Sequence, residues 1–177
     1  AQQTSGITEN IISDDKGFPI VSKEGKVADI FYDPSENVAV IRAAKDLQND
    51  IQKVTGKLPY LLTTETSGEF EIIIGTVGTS KQIDQLISSK KINAKDLKGK
   101  WESFVITTVG NSKSNSKKQL IIAGSDRRGT IYGIYEISKQ LGVSPWHWWN
   151  DVPVQKRSSA YVIPGYFASG EPKVKYR

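Results

Sequence analysis

The strongest apolar pattern is the four–three recurrence of Val40, Ala44, Leu47, Ile51 and Val54, with Arg42, Lys45, Gln48, Asn49 and Gln52 off the stripe. That spacing lays one continuous apolar face along a helix. Asp33-Pro34-Ser35-Glu36 reads as its start, with Asp33 as the cap, Pro34 in the first turn and Glu36 at the capping-box position. Gly56 reads as its stop. Short apolar runs bounded by turn residues predict strands at 18–21, 28–32, 58–63, 70–74, 102–109 and 119–123. After Gly75-Thr76-Val77-Gly78 a weaker helix is expected at 81–88. A further helix is expected at 127–141, closed by Gly142. Residues 90–100 and 111–118 are polar and read as loops. Strands alternating with helices predict an α/β layered sheet. The short link from Val109 to Gln119 predicts an antiparallel hairpin. The expected fold is therefore a mixed β-sheet flanked by helices, with no internal repeat.

At 177 residues the chain is long enough to bury a core without metal or disulfides. It has no cysteine, which excludes disulfides, thiolate metal sites and a cysteine nucleophile. The net charge of +5 comes from scattered lysines, and Lys113, Lys117 and Lys118 sit in a Ser/Asn-rich stretch that reads as a solvated loop. No nucleic-acid recognition motif accompanies the charge, so no nucleic-acid partner is expected. No apolar run approaches membrane-spanning length. The start, Ala1-Gln2-Gln3, reads as a mature end left after signal-peptide removal, or as a trimmed chain. Residues 173–177 read as the beginning of a strand, so a fragment of a longer protein is expected. The domain proper is assigned to 1–166, and 167–177 to a linker and the first residues of a truncated second domain.

Chemistry concentrates in residues 124–153. Arg127 and Arg128 stand where a helix begins, an end that already carries partial positive charge and disfavours cations by about 0.3–1 kcal/mol each when exposed. Two readings are open. In one, Asp126 caps the helix and the arginines pair with carboxylates elsewhere in the protein. In the other, the arginines face an acidic ligand, directly or through a domain interface. Gly129 and Gly133, one turn apart, leave a smooth helix face for close packing. Downstream, Trp146-His147-Trp148-Trp149-Asn150-Asp151 carries aromatic faces suited either to sugar stacking or to packing under the sheet or against a neighbouring domain. His147 is the sole histidine and has no partner at metal-ligand spacing, so no metal site is expected. The glycines at 124, 129 and 133 do not fit a dinucleotide fingerprint, and no phosphate loop or Gly-x-Ser-x-Gly elbow occurs. No carboxylate pair stands out, so no catalytic residue and no cofactor is assigned.

The run 125–136 together with 142–153 resembles the N-terminal region of glycoside hydrolase family 115, the xylan α-1,2-glucuronidases. Asp46-Leu-Gln-Asn-Asp-Ile-Gln-Lys-Val-Thr-Gly56 matches the end of that region's first helix, a style shared by the N-terminal domains of hexosaminidases and family 67 glucuronidases. Glu171-Pro-Lys-Val-Lys-Tyr-Arg177 is similar to the lead-in to the first strand of a TIM-type barrel. The resemblance implies a hexosaminidase-type N-terminal domain preceding a catalytic barrel of about 250 residues that this chain lacks. It implies a parent enzyme, secreted or periplasmic in a bacterium, that removes glucuronic acid or its 4-O-methyl ether from xylan side chains. The fragment itself would be inactive, because the family's catalytic carboxylates belong to the barrel. Its implied partners are its own barrel and the glucuronoxylan polysaccharide. A uronate carboxylate suits arginine. Asp126, Arg127, Arg128, Trp146, Trp148, Trp149 and Asn150 are therefore expected to line the substrate side or the barrel interface. The competing readings are a stand-alone carbohydrate-binding or scaffolding module and a nucleotide-binding α/β domain.

Overall fold

A computed structural model describes residues 7–64, 68–110, 117–143 and 153–173. Along the chain run β1 (Ile12–Ser13), β2 (Phe18–Val21), β3 (Asp29–Tyr32), α1 (Val38–Thr55), β4 (Leu61–Leu62) and β5 (Phe70–Thr76). Next come α2 (Lys81–Ser88), a 3-10 turn at Ala94–Asp96, β6 (Phe104–Gly110), β7 (Lys118–Gly124), α3 (Arg127–Gln140), β8 (Ala160–Val162) and β9 (Tyr166–Ala168). Six strands form the main sheet in the order β4-β3-β5-β7-β6-β9, and β1-β8-β2 form a small antiparallel sheet. Strands β4, β3, β5 and β7 are parallel. The hairpin partner β6 is antiparallel to β7, and β9 antiparallel to β6, so the sheet is mixed as expected.

Period-two alternation in the central strands divides the interior. Ile72 and Ile74 of β5, Leu120 and Ile122 of β7, and Phe104 and Ile106 of β6 join one apolar cluster with α1, α3 and the small sheet. The intervening Ile73, Ile121 and Val105 join the other, against Ile83, Leu86 and Ile87 of α2. A sheet covered on both faces needs apolar residues at successive positions, which is why β5 and β7 read as near-continuous aliphatic runs. The stripe Val40, Ala44, Leu47, Ile51 and Val54 is wholly buried. Gly56 ends α1 with a left-handed φ of 75°, donating its N–H to Gln52 O.

Several local expectations are corrected. The cap of α1 is Asn37, whose Oδ1 accepts from the Ala39 N–H, and not Asp33. Asp33 instead accepts from the Ser35 and Lys81 N–H groups, bonds that hold its carboxyl below the usual range. Glu36 forms no capping box, because its carboxylate is turned to β5. The strand expected at 58–63 shrinks to Leu61–Leu62, behind Pro59 and an exposed Tyr60. Strand β2 belongs to the small sheet, and β1, β8 and β9 were not anticipated. The boundary expected between 166 and 167 falls inside β9.

Candidate functional site

Strands β3, β5 and β7 lie side by side and point the same way. Each is followed by a helix, α1, α2 and α3 in turn. Because α1 and α2 cover opposite faces, the chain divides between β3 and β5. In open α/β sheets that arrangement opens a crevice beyond the carboxyl ends of the strands. A cleft of about 510 Å³ lies there. It is lined by Ser35, Glu36 and Asn37 before α1, Thr76 at the end of β5 and Thr79 after it, and Asp126, Arg127 and Arg128 at the start of α3. Sequence reasoning placed Asp126, Arg127 and Arg128 together, and the fold brings all three to this cleft. Trp146, Trp148, Trp149 and Asn150 lie outside the described residues.

The start of α3 is built around Asp126. Its Oδ1 accepts from the Gly129 N–H at 2.7 Å, capping the helix, and its Oδ2 accepts from the Glu102 N–H at 2.9 Å. Glu102 has a left-handed φ of 48°, a conformation that costs a non-glycine residue roughly 1–2 kcal/mol. It is over-determined: the backbone N–H is held by Asp126, and Oε1 accepts from Arg128 Nη1 at 2.9 Å. The hydrogen bond to Glu102, and then its charge, raise the Arg128 pKa. Arg128 therefore follows the first reading of the misplaced cations, pairing with a carboxylate 26 residues away. Arg127 is exposed and makes no ion pair among the described residues.

Close packing fixes the same turn. A Cβ on Gly129 would stand 2.2 Å from Ser103 O, and one on Gly124 would stand 2.1 Å from the Thr130 backbone nitrogen. Ser103 is itself pinned, its O accepting from Ser125 N–H and its N–H donating to Ser125 Oγ. The smooth face read from Gly129 and Gly133 thus lets α3 sit directly on β6 and β7.

Sequence reasoning missed Glu36 and Thr76 as parts of this site. The Thr76 N–H donates to Glu36 Oε1 at 2.6 Å, and Thr76 Oγ1 donates to Glu36 Oε2 at 3.0 Å. With its proton directed at Glu36, Thr76 Oγ1 accepts in turn from Thr130 Oγ1 at 2.7 Å, in the first turn of α3. A relay of buried side chains thereby ties the entry to α1, the end of β5 and the first turn of α3. Burial raises the Glu36 carboxyl above its ordinary value of 4.5 against the opposing pull of the Thr76 bonds. No local motif marks this relay, because its partners are 40 and 54 residues apart.

The carboxyls of Asp126, Glu102 and Glu36 all engage protein donors. Among the described residues, the cleft-lining cation without an ion partner is the Arg127 guanidinium, at the positive end of α3. Among the described residues no cluster of three or more metal-ligating side chains occurs, and no helix is long and apolar enough to cross a membrane.

Comparison with known proteins places this chain in a family. The family model for the glycosyl hydrolase family 67 N-terminus matches residues 26–137, more than half of the chain. Two curated proteins named probable α-glucuronidase A, from two strains of Aspergillus fumigatus, are 27% identical over 99 residues, 56% of this chain and 10% of theirs. A solved family GH115 4-O-methyl-α-glucuronidase, described as having specificity for decorated arabinogalactans, superposes with a TM-score of 0.64. It is 31% identical, over 89% of this chain and 18% of its own. A Streptomyces plicatus β-hexosaminidase shares the fold with a TM-score of 0.53 at 11% identity, over 100% of this chain and 28% of its own. This chain therefore spans a small part of the relatives it matches. It belongs to the family of glycosyl hydrolase family 67 N-terminal domains.

Proposed function

We propose that this chain is the non-catalytic N-terminal domain of a secreted glycoside hydrolase, an α-glucuronidase. The parent enzyme removes glucuronic acid or its 4-O-methyl ether from glycan side chains, and it does so in a barrel beyond residue 177. The observation that carries this reading is that a curated relative matched by sequence and a solved relative matched by fold at 31% identity are both named α-glucuronidases. Glucuronoxylan is the substrate that the family 115 resemblance implies. Decorated arabinogalactan, named for the solved relative, belongs to the same uronate-bearing class. A non-catalytic role is supported by the cleft's carboxyls. Glycoside hydrolysis needs two carboxyl groups about 5–9.5 Å apart and free to flank a bond. Here Glu36 and Asp126 accept backbone N–H bonds and Glu102 is paired with Arg128. The proposed setting is the periplasm or surface of a glycan-degrading bacterium.

The test compares the 177-residue chain with a chain extended past Arg177 through a complete barrel, on glucuronoxylan and on glucuronate-decorated arabinogalactan. Free uronic acid should appear only with the longer protein. Release by the short chain would contradict the non-catalytic assignment, and release by neither would contradict the glucuronidase assignment.

A further inference from the structure

The path of the last described residues carries an inference about which surface meets the rest of the parent. Strand β9 runs antiparallel to β6, so it heads toward the end of the sheet where Phe104 pairs with Gly124, which is the cleft end. Beyond β9 the chain stays fastened there. The Ser169 N–H donates to Phe104 O at 3.0 Å, and the Phe104 N–H donates to Ser169 Oγ at 2.9 Å. The Trp101 N–H donates to Glu171 Oε1 at 3.1 Å, and Pro172 is buried. The next residue of that inner segment, Glu102, is the one bonded to Asp126 and Arg128. One short segment, 101–104, thus lies between the outgoing chain and the start of α3. At its far end β9 is clamped as well: Tyr166 Oη donates to Asp96 Oδ2 and accepts from the Asn93 N–H. Partial burial, reinforced by Asp96, pushes this phenol's pKa up to about 12, so the clamp holds through neutral pH.

The same end of the molecule has an unusual surface. All three α-helices start there and turn their partial positive charge outward. Arg127 adds a full charge with no ion partner among the described residues. Val38, in the first turn of α1 beside the cleft, is 78% exposed, the largest exposure among the large hydrophobic residues described. Of the two arginines that line the cleft, Arg128 already pairs with Glu102, so a carboxylate on a docked surface would find Arg127 available.

We infer that the cleft end, from Asn37 and Val38 across Thr79 to Arg127, is the docking face for the polypeptide beyond residue 177, and that Arg127 pairs there with a carboxylate of that polypeptide. The inference rests on the reading of the chain as an N-terminal domain, and adds the face, the charge pairing and the fixed exit. Residues 166–171 are strapped to the sheet, so the chain leaves the described part of the domain from a fixed point at the cleft end.

Hydrogen exchange on the short chain and on the chain extended through the barrel tests it. Amides at 35–39, 77–79 and 126–128 should exchange at least ten-fold more slowly in the longer protein. Arg127→Glu should then lower the melting temperature of the longer protein by roughly 2–4 °C, while the short chain, in which the change replaces a cation by an anion at a helix start, should keep or gain stability. Slowing confined to other faces, such as the exposed Tyr60 edge, overturns the inference, as does the absence of any slowing. A shift of equal size in both chains shows that Arg127 serves only this domain and overturns the pairing. Uronic acid release measured on the same samples keeps the questions apart: release without cleft protection overturns the docking face alone, and protection without release overturns the glucuronidase reading alone.

Discussion

Gly129→Ala should destabilise this domain by about 3 kcal/mol, lowering the melting temperature by roughly 10 °C. In an exposed helix the same change stabilises by about 1 kcal/mol, because alanine is the better helix former. The sign reverses here because the new methyl carbon would lie 2.2 Å from Ser103 O and 3.0 Å from Ser103 C and N. Ser103 cannot retreat. Its backbone is bonded on both groups to Ser125, and the preceding Glu102 is bonded to Asp126. Gly133→Ala is the internal control. Its Cβ would meet side-chain atoms, Ile122 Cγ2 at 2.9 Å and Phe104 Cβ at 3.2 Å, which can give by a few tenths of an ångström. Urea unfolding of both variants should show Gly129→Ala as the more damaging by at least about 1 kcal/mol. A Gly129→Ala protein as stable as its parent would show that α3 does not rest on Ser103.

Glu36→Ala should cost about 2–3 kcal/mol at neutral pH, because the buried Thr76 N–H loses its acceptor. Glu36→Gln should be far milder. Its oxygen can accept from the Thr76 N–H, and its amide can donate to Thr76 Oγ1, which then donates to Thr130 Oγ1. The two variants also differ from wild type in pH dependence. Burial raises the folded pKa of Glu36 above the unfolded value near 4.5, so the folded protein holds this proton more tightly than the unfolded chain. The stabilisation from that proton is complete below the unfolded pKa and is lost as pH rises through the folded value. Glu36→Gln should therefore gain on wild type as pH rises from about 4 toward neutrality. Asp50, whose carboxyl burial also raises, is common to both proteins and cancels in the difference. A constant difference across that range would show that Glu36 titrates normally.

What could be read along the chain was whatever depends on neighbours in sequence. The stripe on α1, its Gly56 stop and the Asp126 cap are local, and each stands in the fold as expected. The start of α1 was misread because Asp33, Glu36 and Asn37 all have capping chemistry. Only the tertiary fold assigns Glu36 to Thr76 and Asp33 to Ser35 and Lys81, leaving the cap to Asn37. Strands β1 and β8 escaped notice because they are two and three residues long and pair Ile12 with Val162 across the whole chain. The conflict at Arg127 and Arg128 was visible as a broken rule. Its resolution for Arg128 was not, because Glu102 carries no signal until its left-handed backbone turns the carboxylate toward α3.

If this domain supports a catalytic neighbour and does not itself hold the sugar, its isolated cleft should not bind a uronate. Calorimetric titration of the 177-residue chain with a glucuronate-bearing xylo-oligosaccharide reads this without any barrel present. No saturable heat is expected up to about 1 mM ligand, a limit corresponding to roughly −4 kcal/mol. Saturable binding in the micromolar range, abolished by Arg127→Ala in a chain that remains folded, would contradict a supporting role and make the cleft a sugar site in its own right.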